Sequence, residues 1–277
     1  MNQNYLSKLF QLQDKVAVLT GGGGVLCSTM SKALAQTGVN VVVLDLVMEL
    51  AQNVVDEIKS NDGNAFAVQC DVLDKASIEK AAESILDKFG RVDILINGAG
   101  GNKKEATTSP DLSFFDLPSE AIQWVFNLNL QGTLLPSQVF GQNMVEQGEG
   151  VILNISSMSA FQPLTCIPAY SGAKAAVSNF TQWLAVHMAQ EYSPEIRVNA
   201  LAPGFFLTEQ NRFLLTIADS GDLTSRGQTI IDHTPQRRFG DPEDLLGAMF
   251  WLLSPASQFV TGIVVPVDGG FSAFSGV

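Results

Sequence analysis
Val16-Ala17-Val18-Leu19-Thr20, followed by Gly21-Gly22-Gly23-Gly24 and then Val25-Leu26-Cys27, is the stretch that decides the fold. A short run without charge reads as a strand buried on both faces of a parallel sheet. The glycines turn the chain, and residues 26–37 read as a helix closing at Gly38. Residues 39–44 repeat the pattern as a strand ending at Asp45, before a helix over 49–60 stopped by Asn61-Asp62-Gly63. Residues 65–69 and 92–96 flank a helix over 75–89, and strands at 151–155, 196–200 and 263–267 complete a set of seven. Such alternation makes βαβ units and a sheet covered on both faces. The expected architecture is α/β: one Rossmann-like, doubly wound domain over 1–277 with a seven-stranded parallel sheet. An insertion at about 205–239 interrupts it near the carboxyl ends of the strands, where open α/β sheets bind ligands.

Bulk properties exclude several function classes. The net charge of -12 disfavours nucleic acid as a partner, since that needs a basic surface. No stretch reaches the roughly 18 apolar residues of a membrane span, and Met1 to Lys8 lacks the layout of a secretion signal. A cytoplasmic protein with no membrane partner is expected. Cys27, Cys70 and Cys166 make no disulfide framework. His187 and His233 lack Cys or acidic partners at ligand spacing, so no metal site is expected.

The glycine turn and the helix start behind it favour a pyrophosphate through backbone amides, which points to Gly21, Gly23, Gly24, Val25 and Leu26. Asp45, about twenty residues on, can accept from the two hydroxyls of an adenosine ribose and repels a 2'-phosphate. Leu46 follows it, with no arginine or lysine to hold such a phosphate. The expected cofactor is therefore NAD(H). Asp71 can accept from the adenine amino group while the amide of Val72 donates to the ring. Asn97, Ala99 and Gly100 leave room over the fourth strand for ribose and nicotinamide.

Ser157, Tyr170 and Lys174, with Asn129 upstream, carry the chemistry. Tyr170 and Lys174 stand four apart, so a phenol and an ammonium share one helix face. A neighbouring cation favours the phenolate and lowers the phenol pKa, which suits proton exchange with a substrate alcohol or alkoxide. Singly, each has a structural explanation: Ser157 as a strand-end cap, Asn129 as a packing polar group, Tyr170 as a half-buried aromatic, Lys174 as a solvated lysine.

Together these pieces resemble the short-chain dehydrogenase/reductase family over about residues 12–270. The resemblance rests on the glycine turn, Asp45, Asp71-Val72, Asn97-Gly98-Ala99-Gly100 and Asn129-Leu130-Gln131-Gly132. It continues through Ser157, Tyr170-Ser171-Gly172-Ala173-Lys174, Pro203-Gly204 with Thr208, and Val267-Asp268-Gly269-Gly270. The family turn carries glycine where this chain has Val25 and Cys27. A finer resemblance, to the D-mannonate oxidoreductase branch, lies in Gly98 to Asn102, Thr133 to Gln138 and Pro203 to Arg212. It implies NAD(H)-dependent interconversion of D-fructuronate and D-mannonate; gluconate 5-dehydrogenase is the alternative, and a non-catalytic dinucleotide-binding protein a third.

The family resemblance also implies roles. Ser157 would donate to the developing oxyanion, Tyr170 would exchange the proton, Lys174 would bond the nicotinamide ribose, and Asn129 would hold a relay water. Pro203, Gly204, Phe206 and Thr208 would line the nicotinamide end. For the substrate, Arg212 is the expected carboxylate grip, Asn102, Lys103 and Gln210 are candidate donors, and Met158 and Phe206 candidate apolar walls. Arg226, Arg237 and Arg238 are further cations that surface solvation explains equally well. His233 reads as a loop or interface residue and His187 as a packed one. By family analogy a homotetramer is expected, with Phe271-Ser272-Ala273-Phe274 either at an interface or packed on its own chain.

Overall fold
The computed structural model describes residues 3–208, 212–217 and 220–276. Its seven parallel strands are β1 (Val16–Thr20), β2 (Asn40–Asp45), β3 (Ala65–Gln69), β4 (Ile94–Asn97), β5 (Gly150–Ile155), β6 (Ile196–Pro203) and β7 (Val264–Val267). They stand in the order β3-β2-β1-β4-β5-β6-β7. Sheet growth thus reverses between β1 and β4, which opens a crevice at their carboxyl ends. Thr20 faces Leu44 on one side and Asn97 on the other, so the glycine turn leaves the sheet at that crevice.

The helices are α1 (Gln3–Leu9), α2 (Val25–Gln36), α3 (Met48–Ser60), α4 (Lys75–Phe89), α5 (Ser119–Phe126), α6 (Gly132–Gln147), α7 (Pro168–Glu191), α8 (Arg212–Leu215), α9 (Ser225–His233) and α10 (Leu246–Leu253). One face of the sheet is covered by α2, α3 and α10, with Met30, Leu34, Val55 and Met249 buried on Leu19, Val41 and Val43. The other is covered by α4, α6 and α7, with Ile78, Ile85, Phe140 and Met188 on Val18, Val42 and Leu95. Burial on both sides is why the strands lack polar alternation. Local signals set the ends: Asp74 caps α4 by accepting from the Ala76 amide, and Gly90 closes it at φ 73°.

Two strand limits differ from the sequence expectation by more than one residue. β4 begins two residues later, because the Asp93 carboxylate takes the Val16 amide at 2.8 Å. β6 runs on to Pro203 because Ala200 to Pro203 pair with Val264 to Val267. The 205–239 insertion contains α8 and α9, whose Leu215 and Ile230 pack with Met158 and Phe271 in a cluster apart from the sheet.

Candidate active site
The glycine turn is shaped by packing. Gly21 has φ +60°, and a Cβ there would lie 2.9 Å from Ala99 Cα. Side chains at Gly22 and Gly23 would meet Val43 and Leu50 at 2.6 and 2.5 Å. Asp45 ties the turn to β2: one carboxylate oxygen accepts from the Gly23 amide at 3.0 Å and the other from the Val47 amide at 3.0 Å. An ionised carboxylate has about four acceptor sites, so two remain for ribose hydroxyls. Gly24 caps α2, whose first-turn amides have no acceptor within the helix.

The two family glycines replaced here have separate outcomes. Val25 is 38% exposed at the start of α2. Cys27 is buried, and its Sγ fills the space a side chain would take at Gly98, where a Cβ would stand 2.1 Å away. The close helix–strand approach survives because the missing side chain is on the strand. Burial pushes the Cys27 thiol up to about 12, with a smaller lowering by the Lys174 charge and a smaller raising by Asp45, so it is a neutral packing group.

On β3 and β4 the expected cofactor residues stand at the strand ends. Asp71 accepts from the Leu73 amide at 2.9 Å, and Val72 is buried. Asn97 is buried and donates to Ser137 Oγ and Asn154 Oδ1, each at 2.9 Å. Thr20 Oγ1 accepts from the amides of Gly98 and Ala99 at 3.1 and 3.2 Å.

Asn129 sits in one turn of π-helix, Asn127–Gln131, between α5 and α6. Within that wide turn the Asn129 side chain donates to the Val125 carbonyl at 2.8 Å. Asn129 also exchanges two bonds with Gly101, donating to its carbonyl at 2.7 Å and accepting from its amide at 3.1 Å. A Cβ at Gly100 would lie 2.8 Å from Asn129 Oδ1 and 3.1 Å from Lys174 Nζ, so this glycine leaves both reachable from the crevice.

Lys174 is buried and donates to the Ile155 carbonyl at 2.8 Å. Burial brings its pKa down to about 8. Its ammonium lies 5.7 Å from the Tyr170 ring centre. Tyr170 corrects one expectation: burial moves its phenol above the ordinary value, and a hydrogen bond with Ser157 only partly offsets that. The Lys174 charge is directed at a backbone carbonyl. Ser157 Oγ also accepts from the Ser159 amide and hydroxyl at 3.2 and 3.1 Å.

Thus Asn129, Ser157, Tyr170 and Lys174 do converge. The substrate candidates scatter. Met158 and Phe206, expected as apolar walls, are both at most 4% exposed; Met158 packs under the insertion and the Phe206 ring packs on Gly240. Arg212 is exposed at the start of α8, and Gln210 lies outside the described residues. Asn102 donates to Thr107 Oγ1 at 2.9 Å, and Lys103 lies 4.9 Å over the Trp124 ring. Arg237 and Arg238 are engaged by Asp232 and Asp244. His187 stacks on Trp183, and His233 lies between Phe271 and Phe274 of the carboxyl-terminal segment, which therefore packs on its own chain. Ser159, Gly101 and the Ile155 carbonyl were not foreseen; of these only Ser159, two residues after Ser157, left a sequence signal.

Residues 15–216 match the family model for short chain dehydrogenase. The chain belongs to that family, as its motifs indicated. It is an oxidoreductase acting on CH–OH groups with NAD(H). An uncharacterised oxidoreductase, UxuB, of Bacillus subtilis strain 168 is 52% identical over 275 residues, covering 96% of this chain and 98% of that one. A Haemophilus influenzae protein, solved with bound NAD and described as a candidate D-mannonate oxidoreductase, is 49% identical with TM-score 0.90 over 96% of this chain and 98% of that one. A gluconate 5-dehydrogenase of Burkholderia cenocepacia J2315, solved with NADP and tartrate, is 29% identical with TM-score 0.86, covering 97% and 99%.

Proposed function
We propose that the chain interconverts a keto sugar acid and its hydroxy acid, D-fructuronate and D-mannonate, with NAD(H). The observation that carries the chemistry is the hydrogen-bonded Ser157–Tyr170 pair with buried Lys174 behind it. The identity of the Haemophilus influenzae relative supports the substrate.

The cofactor, when bound, supplies or accepts the hydride. The turn amides from Gly21 to Leu26 would hold its diphosphate, and Asp45 the adenosine ribose. Asp71 and Val72 would face the adenine, and Pro203, Gly204 and Thr208 the carboxamide. With no side chain at Gly100 in the way, Lys174 would be the residue to bond the nicotinamide ribose. In reduction, Ser157 donates to the carbonyl oxygen as it gains charge, and Tyr170 gives it a proton. Lys174 replaces that proton through the relay that ends at Asn129. Oxidation runs in reverse, with Tyr170 as base.

A phenol raised by burial stays protonated at neutral pH and is then a donor. Reduction is expected to hold through neutral pH and to decline as Lys174, at about 8, and then Tyr170 lose their protons. Oxidation is expected to rise over the same alkaline range; kcat profiles in both directions check this. Substrate is tested by NADH oxidation with D-fructuronate, D-tagaturonate and 5-keto-D-gluconate. Strong turnover of 5-keto-D-gluconate with none of D-fructuronate would favour gluconate 5-dehydrogenase instead.

The same proposal includes a cytoplasmic homotetramer. Residues 121–145 and 168–190 hold no Asp, Glu, Lys or Arg except buried Lys174, yet Trp183 and Val186 on α7 are each 56% exposed. Such a face fits burial against another copy. Val186→Asp should lower the mass seen by light scattering; an unchanged mass counts against assembly through α7.

A further inference from the structure
The insertion folds back over the loop between Ser157 and Tyr170, and one cation there is unused by the chemistry so far. Arg226 stands in the first turn of α9, and its Nη1 donates to Thr165 Oγ1 at 3.3 Å, 61 residues away in sequence. Among the described residues no carboxylate is within ion-pair distance of it. Other arginines are committed elsewhere. Arg91 holds Asp93 and Glu149, Arg237 and Arg238 hold carboxylates, and Arg197 is buried among backbone carbonyls. A guanidinium has five donors, and Arg226 spends one on a neutral hydroxyl.

Its position is fixed by packing. Arg226 and Ile230 are four residues apart and share a face of α9. Ile230 is buried in one cluster with Met158, next to Ser157, and Leu164, next to Thr165. Arg226 is half-buried, and its bond to Thr165 lies at the solvent-exposed rim of that cluster. The segment it faces, residues 156–173, contains no charged side chain, so the cation has no protein counter-charge to answer there. In a chain of net charge -12, a half-buried arginine at the edge of the Ser157–Tyr170 loop offers local attraction to an anion.

We propose that Arg226, steadied by Thr165, grips the carboxylate of the substrate and so selects keto acids over uncharged ketoses. The assignment rests on the keto-acid function proposed above, and it replaces Arg212, which is exposed on α8. A planar guanidinium can hold a carboxylate through two parallel bonds, which a lysine cannot.

The experiment compares kcat/KM for D-fructuronate and for D-fructose, which has a hydroxymethyl group where the acid has its carboxylate. It uses the full chain, Arg226→Met and Arg226→Lys. Arg226→Met should lower the fructuronate-to-fructose ratio roughly 10- to 100-fold, mainly through the KM for the acid, with NADH affinity retained. Arg226→Lys should fall between. An unchanged KM for D-fructuronate in Arg226→Met overturns the assignment while leaving the function intact. If the unaltered chain turns over no keto sugar acid, the proposed function fails and the assignment with it. If Arg226→Met has lost NADH binding, Arg226→Lys decides: a raised KM for the acid supports the grip, and an unaltered one overturns it.

Discussion
Replacing Tyr170 with phenylalanine is expected to lower kcat by about 10³-fold, within the usual range for loss of a general acid–base. The ring keeps its packing, and only the hydroxyl bonded to Ser157 is removed. NADH titration, followed by fluorescence, should give an affinity within about threefold of the unaltered chain. The phenol's proton belongs to chemistry, whereas cofactor grip is spread over the turn, Asp45 and the strand ends. Near-normal turnover in this variant would remove Tyr170 from the mechanism. A large loss of NADH affinity would instead make it chiefly a binding residue.

Gly98→Ala is the second large effect. The new methyl would stand 2.1 Å from Cys27 Sγ and 2.9 Å from the Thr20 carbonyl oxygen, so either α2 or β4 must move. Overpacking of this kind costs about 2–3 kcal/mol. Here it also shifts the turn that Thr20 pins to Gly98 and Ala99, so NADH affinity should fall together with the denaturation midpoint. Cys27→Gly in the same chain should recover part of the loss, since the sulfur is the nearer obstacle, but not all, since the Thr20 carbonyl remains. A double-mutant cycle by denaturant unfolding measures that coupling. Strict additivity would show that the two side chains do not compete for one space.

The strands were legible because burial on both sides leaves uninterrupted apolar runs, and Asp45, Tyr170 and Lys174 because their spacing is local. What escaped was settled by partners distant in sequence. Asp93 shortens β4 by bonding Val16, which no run of hydropathy reveals. The π-turn at Asn127–Gln131 leaves composition unchanged and shows only in its backbone closure. Cys27 looked like a lost glycine until Gly98 was seen opposite it. The Tyr170 shift came out opposite in sign because sequence shows the neighbouring charge but not the desolvation, and the carbonyl of Ile155 claims the ammonium. Met158 reads as a wall from apolar character alone, which does not separate a pocket lining from a buried contact, whereas Phe206 lines a cavity with Phe239 and Val267.

The double tether of Asp45 bears on any attempt to redesign cofactor choice. Its two oxygens hold the Gly23 and Val47 amides. Exchanging it for a small neutral residue to admit a 2'-phosphate would therefore also free the loop that must receive the diphosphate. A redesigned variant could then lose both cofactors, for mechanical rather than electrostatic reasons. Asparagine, which keeps one acceptor oxygen, combined with a cation placed beyond Leu46, is the more promising starting point.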